Sequence, residues 1–152
     1  MGPSEIETRT KLLQSVDFFQ PFSTEELSEL LQFGTIKKFT THEYVIKEDA
    51  IDYSFHIILR GKANIIKESL NKRRKLKIAV LEAGECFGEM AMLLDGHRSA
   101  SVMAAMECFT FVTDGQSLEQ MTVTTQLKFV RQVARYMAIK LKKQSTALVE
   151  AF

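Results

Sequence analysis

Leu27, Leu30 and Leu31 recur at helical spacing behind Ser23-Thr24-Glu25-Glu26, where Ser23 and Glu26 stand as a capping box. Residues 5–33 therefore read as a helical entry segment, docked through Leu12, Leu13, Val16, Phe18 and Phe19. From residue 34 the pattern changes. Short runs rich in Val, Ile, Phe and Thr alternate with turn or charged segments and predict strands at Thr35–Phe39, Tyr44–Ile46, Ser54–Arg60, Lys62–Glu68, Leu76–Leu81, Ala100–Ala105 and Cys108–Thr113. In the third run Phe55, Ile57 and Leu59 alternate with Ser54, His56 and Ile58, the pattern of a half-buried strand. Arg60-Gly61-Lys62 reads as a tight turn between paired strands. Asn71-Lys72-Arg73-Arg74-Lys75 reads as a solvated basic hairpin tip; a contact for anionic lipid or nucleic acid is the lesser alternative, since five residues leave a small electrostatic footprint.

The helical period returns after residue 114. Asp114 and Ser117 are both candidate caps. From Leu127 a long amphipathic helix carries a stripe of Val130, Val133, Met137 and Leu141, widened by Phe129, Ala134 and Tyr136. So wide a stripe must face more than one thing. Lys140, Lys142 and Lys143 near its end suit the helix dipole. Several short strands with regular turn signals predict an antiparallel sandwich or jelly roll, an α+β, mainly β class.

Composition narrows this little. At 152 residues the chain reads as one domain, 1–152, with a helical segment at 5–33, a β region at 34–113 and helices at 115–150. A net charge of +1 gives no global attraction to nucleic acid. No apolar run suits a membrane span, and no signal-peptide pattern is present. Cys86 and Cys108 are too few for a disulfide framework, and His42, His56 and His97 lack ligand spacing. A reducing cytoplasmic location, no metal and no cofactor are expected.

The chemistry concentrates in Phe87-Gly88-Glu89-Met90-Ala91-Met92-Leu93-Leu94-Asp95-Gly96-His97-Arg98-Ser99-Ala100-Ser101-Val102. Gly88 has no Cβ and admits close backbone approach. Residues 89–94 read as one short helical turn, whose first N–H groups suit an anion. Glu89 is an acceptor suited to a ribose hydroxyl. Arg98 brings a planar fork of donors for phosphate oxygens, and Ser99 a hydroxyl beside it.

This run resembles, without a gap, the phosphate-binding cassette of cyclic-nucleotide-binding domains, here residues 84–101. Weaker resemblance covers most of the chain; the family's Ser-Phe strand pattern ending in Gly is echoed at Ser54–Gly61. The resemblance implies a jelly-roll β-barrel flanked by N-terminal helices and a long C-terminal helix. It implies that Gly88 and the Met90 and Ala91 amides meet phosphate, that Glu89 binds the ribose 2′-hydroxyl, and that Arg98 pairs with the exocyclic oxygens. Ser99 assists, with Phe87 and Ala100 completing the cassette. Ile65 and Leu81 match apolar base-contacting positions. A side chain of the long helix is implied at the base, with Arg131, Arg135, Tyr136 and Met137 as candidates. The sequence departs from the family at two early turns, where Thr41-His42 and Glu48-Asp49-Ala50 replace Pro-Gly and Glu-Gly. Neither turn touches phosphate in the family.

The function expected is a sensor for a cyclic nucleotide, cAMP first and cGMP as the alternative, since a hydroxyl after the arginine favours guanine in some members. Binding is expected to move the long helix at 127–148, which also pairs with a second copy, and to signal to a downstream protein. A ligand-binding fragment of a larger transcription regulator, channel or kinase regulatory subunit is an alternative. No helix-turn-helix follows the long helix, so direct DNA binding is not expected. Catalysis is not expected either, because neither a metal cluster nor an activated nucleophile is visible. A ligand-free interaction domain is the remaining alternative.

Overall fold

The structure, a computed structural model, describes residues 2–71 and 73–151. Two helices, α1 (Pro3–Gln14) and α2 (Thr24–Phe33), flank a 3-10 turn at Asp17–Phe19. The capping box at α2 forms as expected: Glu26 N–H donates to Ser23 Oγ at 3.2 Å and Ser23 N–H to Glu26 Oε1 at 2.8 Å. The strands are β1 (Thr35–Phe39), β2 (Tyr44–Ile46), β3 (Phe55–Arg60), β4 (Lys62–Glu68), β5 (Lys75–Glu82), β6 (Cys86–Phe87), β7 (Ser101–Ala104) and β8 (Cys108–Thr113). The short helix α3 (Glu89–Leu93) follows β6. Helices α4 (Gly115–Glu119) and α5 (Val123–Ala151) follow β8, with Asp114 Oδ1 capping α4 by accepting from Ser117 N–H at 2.7 Å.

The strands form two antiparallel sheets, ordered β1-β8-β3-β6 and β2-β7-β4-β5. This is a jelly-roll-like arrangement of two sheets rather than one hydrogen-bonded barrel. It also changes the reading of Gly61. β3 and β4 are not paired; the chain leaves one sheet for the other there. Gly61 takes φ +91°, and a Cβ on it would stand 2.2 Å from the Glu107 carbonyl oxygen. β3 is not half-buried, since Phe55 through Leu59 are all buried. Phe55, Ile57 and Leu59 pack toward the helices, while Ile58 belongs to the smaller core between the sheets with Ile46, Leu81, Phe87 and Val102. A central strand covered on both faces loses the alternation that marks a half-solvated one.

The larger core joins the helices to the first sheet around Phe18, which meets Phe19, Phe22, Phe55, Phe129 and Tyr136 at ring-centroid distances of 5.1–6.5 Å. Polar contacts fasten the first half of α5 to the same segment. Glu29 accepts from the Thr122 N–H and from the Thr122 and Thr125 hydroxyls. Lys128 Nζ reaches Glu26 Oε1 at 2.6 Å, and Gln132 Nε2 donates to the Phe18 carbonyl at 2.8 Å. The anticipated stripe therefore splits. Phe129 and Val133 are buried and Tyr136 and Met137 pack on the core, whereas Val130 and Leu141 are exposed. The helix also starts earlier than Leu127, at Val123.

Phe18 has no exposed surface and joins the entry segment to both β3 and α5. Phe18→Ala should lower unfolding stability by about 3–5 kcal/mol. Urea denaturation measures this, and a loss below about 1 kcal/mol would mean that this ring cluster is not what joins helices to sheet.

Candidate functional site

Two backbone features set the site. Gly88 ends β6 with φ +91° and starts α3 as its N-cap. A Cβ there would lie 2.5 Å from the Ser54 carbonyl oxygen and 2.9 Å from Arg98 Nη1, so only glycine lets the three groups meet. Across from it, residues 49–52 and 96–98 hold each other by backbone bonds: Asp49 N–H to Arg98 O at 2.9 Å, Arg98 N–H to Ala50 O at 3.1 Å, and Asp52 N–H to Gly96 O at 2.8 Å. This short ladder aims the Arg98 side chain inward.

Arg98 is 6% exposed. Its Nη2 donates to the Ser54 carbonyl and lies 3.3 Å from both Asp52 Oδ1 and Ser54 Oγ. Its Nε is buried and meets no acceptor among the described residues. A guanidinium so placed is costly unless its charge and donors are satisfied. Asp52 neutralises one side of it. Burial would raise the Asp52 carboxyl, but hydrogen bonds from the Ser54 hydroxyl and N–H, with Arg98 beside it, hold it below the usual aspartate value.

The network runs on into the sheet. Ser54 Oγ lies 2.9 Å from His56 Nε2, and His56 Nδ1 lies 3.1 Å from Thr110 Oγ1. The imidazole stacks on Phe87 at 4.9 Å with the planes 4° apart. Burial, with further help from Arg98 and Lys37 against the opposing pull of Asp52, pushes its pKa down to about 3. His56 is therefore neutral at physiological pH, a polar strut rather than a charge beside Arg98.

Gly88, Arg98 and α3 border a cavity of about 230 Å³. Its apolar wall is Ile46, Ile65, Leu81, Phe87 and Val102. Its polar wall is Glu89, His97, Arg98, Ser99 and Lys140, with Met90, Ala91 and Ala100 closing the rest. The first helical acceptor of α3, the Gly88 carbonyl, is taken by Met92 N–H, so the Met90 and Ala91 amides precede the hydrogen-bonded turn. The Met90 side chain itself is exposed, leaving only its backbone to face an anion.

Ten of the thirteen site residues read from the sequence line this cavity: Phe87, Gly88, Glu89, Met90, Ala91, Arg98, Ser99, Ala100, Ile65 and Leu81. The three helix candidates do not. Arg131 and Arg135 are exposed, and Tyr136 packs on Phe18 and lines a separate groove beside Ser15 and Arg60. Met137, the fourth residue considered there, also packs on the core. The α5 residue at the cavity is Lys140. Its Nζ donates to the Cys86 carbonyl at 3.0 Å and lies 3.5 Å from Glu89 Oε1. One signal marked it: Lys140 follows Phe129, Val133 and Tyr136 on the buried stripe, where a cation needs a partner. Asp52, Ser54 and His56 also went unread, because they act from behind the cassette.

A short helix start, a buried arginine and a carboxylate beside an apolar wall are groups suited to a small phosphate ester. The family model of the cyclic nucleotide-binding domain matches residues 36–124, and the chain belongs to that family. Its relatives include the cGMP-dependent 3′,5′-cGMP phosphodiesterase A of Dictyostelium discoideum, 30% identical over 68% of this chain and 11% of the relative. The human cGMP-dependent protein kinase 2 is 26% identical over 64% of this chain and 13% of the relative. The chain thus spans only a small part of these curated relatives. Among solved structures, a cyclic nucleotide-binding domain from Methylobacillus flagellatus superposes with a TM-score of 0.79 at 21% identity, over 98% of this chain and 85% of that one. The Thermus thermophilus catabolite activator protein superposes at 0.72 with 19% identity, over 88% and 62%. The cAMP-bound regulatory domain of Toxoplasma gondii PKA does so at 0.68 with 20% identity, over 88% and 51%.

The strut has a pH signature. His56 carries a proton in the unfolded chain below about 6.5 but not in the fold until about 3, so the unfolded state binds more protons between them. Stability should therefore rise with pH through that window and be lost as the solution is acidified, by up to about 1.4 kcal/mol per unit. Between about pH 5.5 and 6.5, where carboxylates are nearly all ionised in both states, His56→Gln should flatten this slope. Thermal melts of both proteins across that range test it, and parallel slopes would contradict it.

Proposed function

We propose that the chain senses a purine 3′,5′-cyclic nucleotide, cAMP before cGMP, and that ligand binding repositions the end of α5. Arg98 carries the reading. Among the described residues its Nε has no acceptor, and Gly88 brings its Nη1 up against the start of α3. A cyclic phosphate would take those donors together with the Met90 and Ala91 amides. Glu89 would accept from the ribose 2′-hydroxyl, and Ser99 would add a hydroxyl beside the phosphate. The base would lie on Ile65 and Leu81.

The apolar wall supports adenine. Guanine has a carbonyl where adenine has its amino group and carries a further amino group at C2, polar groups whose hydration that wall cannot replace. Ser99 and the cGMP-dependent relatives support cGMP as the second reading.

Coupling to α5 would run through Glu89. The ribose hydroxyl and Lys140 meet at the same carboxylate, so a ligand changes what holds the helix to the cassette. Glu29, Glu26 and Phe18 fasten α5 as far as Gln132, which narrows the moving part expected at 127–148 to the turns beyond Met137. Leu127, Val130, Ala134, Met137, Leu141, Gln144 and Leu148 keep a three-four spacing, and all but Met137 are exposed. That seam supports a homodimer through α5. The kinase and phosphodiesterase relatives support a regulatory role for a neighbouring domain or downstream protein rather than catalysis or direct DNA contact by this chain. Two free, buried cysteines support a reducing cytoplasmic setting. Among the described residues no helix is long and apolar enough to cross a membrane.

Calorimetric titration with cAMP and cGMP tests the ligand and ranks the two bases. Arg98→Ala should weaken the tighter one roughly ten- to over a hundredfold, the worth of a charge-assisted hydrogen bond. Equal affinity in the variant would remove the phosphate assignment. Sedimentation tests the dimer: the native chain should associate with rising concentration and Leu141→Glu should stay monomeric, whereas a native chain monomeric throughout would end that part of the proposal.

A further inference from the structure

A strong charge asymmetry lies along the β4–β5 hairpin, whose tip stands outside the cavity. Residues 62–77 hold seven of the chain's 20 Lys and Arg residues and one of its 19 Asp and Glu residues, although the whole chain is near neutral. They span β4, the turn and the start of β5. The turn is built rather than loose. Ser69 N–H donates to the Arg74 carbonyl at 2.8 Å, and Asn71 Oδ1 accepts from Ser69 Oγ and Arg73 N–H at 2.7 and 3.1 Å. That turn leaves Leu70 fully exposed at the tip. Arg73, Arg74, Lys75 and Lys77 are exposed as well, and among the described residues no carboxylate pairs with them. Lys75 instead reaches Tyr44 Oη at 2.8 Å, and Lys47 lies over the same ring, which widens the patch.

β5 is the edge of its sheet, and Leu76, Ile78 and Val80 on it are exposed. An edge strand with apolar residues invites pairing, but Lys75 and Lys77 repel a second copy. The occupant must therefore be anionic and must also accept apolar side chains. Nucleic acid meets only the first demand: the one ring in the patch, Tyr44, is part-buried with Lys47 and Lys75 over it, and Leu70 would find only a charged backbone. A lipid bilayer interface meets both.

We propose that the β4–β5 hairpin docks on an anionic membrane surface, with Leu70 entering the headgroup layer and Arg73, Arg74, Lys75 and Lys77 pairing with lipid phosphates and carboxylates. This surface is independent of the nucleotide reading, since Arg73, Arg74 and Leu70 do not line the cavity.

Co-sedimentation of the full chain with vesicles tests it. Phosphatidylcholine vesicles carrying about a third phosphatidylserine should bind the chain, and pure phosphatidylcholine should not. Added salt should release it. The double variant Arg73→Glu, Arg74→Glu should bind roughly thirtyfold more weakly or worse. Leu70→Asp should bind severalfold more weakly while staying salt-sensitive. Unchanged thermal melts keep folding out of the comparison. No sedimentation with the anionic vesicles, or undiminished binding by the double variant, would overturn the proposal. Tighter binding to an RNA or DNA fragment, with Leu70→Asp unaffected, would assign the patch to nucleic acid and overturn it too.

Discussion

The buried guanidinium of Arg98 is the constraint around which the site is arranged. A charge with so little solvent contact needs an anion, an accepting carbonyl and space beside the backbone. Asp52 supplies the first, the Ser54 carbonyl the second and Gly88 the third. Each requirement fixes another part. Asp52 must sit opposite Gly96, which orders the loops at 49–52 and 96–98. Ser54 must stand just before β3, whose His56 then continues the polar row to Thr110 on β8. The cavity is thus the front of a hydrogen-bonded chain that crosses the first sheet. Among the described residues the unmet Nε is where that chain stops short, on an arginine that itself lines the cavity.

The polar row also explains why a histidine belongs in so apolar a place. Packed against Phe87 and denied solvent, His56 is held neutral and adds no second positive charge to Arg98. A lysine or arginine there would compete for Asp52, and an apolar residue would strand the Ser54 and Thr110 hydroxyls.

Most of the fold was legible because its signals are local. β1, β2, β4 and β8 fall where β-branched and aromatic runs put them, and Ser23 with Glu26 marks the start of α2. The cassette was legible because Gly88, Glu89, Arg98 and Ser99 are close in sequence. What escaped depended on distance along the chain. β6 is two residues long and exists only because β3 lies beside it. Gly61 looked like a hairpin turn because nothing nearby says that the next strand joins the other sheet. Lys140 was not among the candidates Arg131, Arg135, Tyr136 and Met137 because the register of α5 against the roll is set by Phe18 and Gln132, more than a hundred residues apart. Asp52 faces Arg98 across 46 positions of chain.

The far end of α5 gives the last consequence. Beyond Lys140 every residue through Glu150 is exposed. Those turns receive no packing from the rest of the molecule, and a stretch of about ten residues lies below the length at which an isolated helix is stable in water. They are helical by propagation from the fastened part, each residue adding a free energy close to zero. The helix is therefore better described by how many turns are formed than by where a rigid rod points. Temperature, or anything that grips Lys140, can lengthen or shorten it a turn at a time. Under the coupling proposed above, what such a helix would hand to a neighbour is a count of ordered turns.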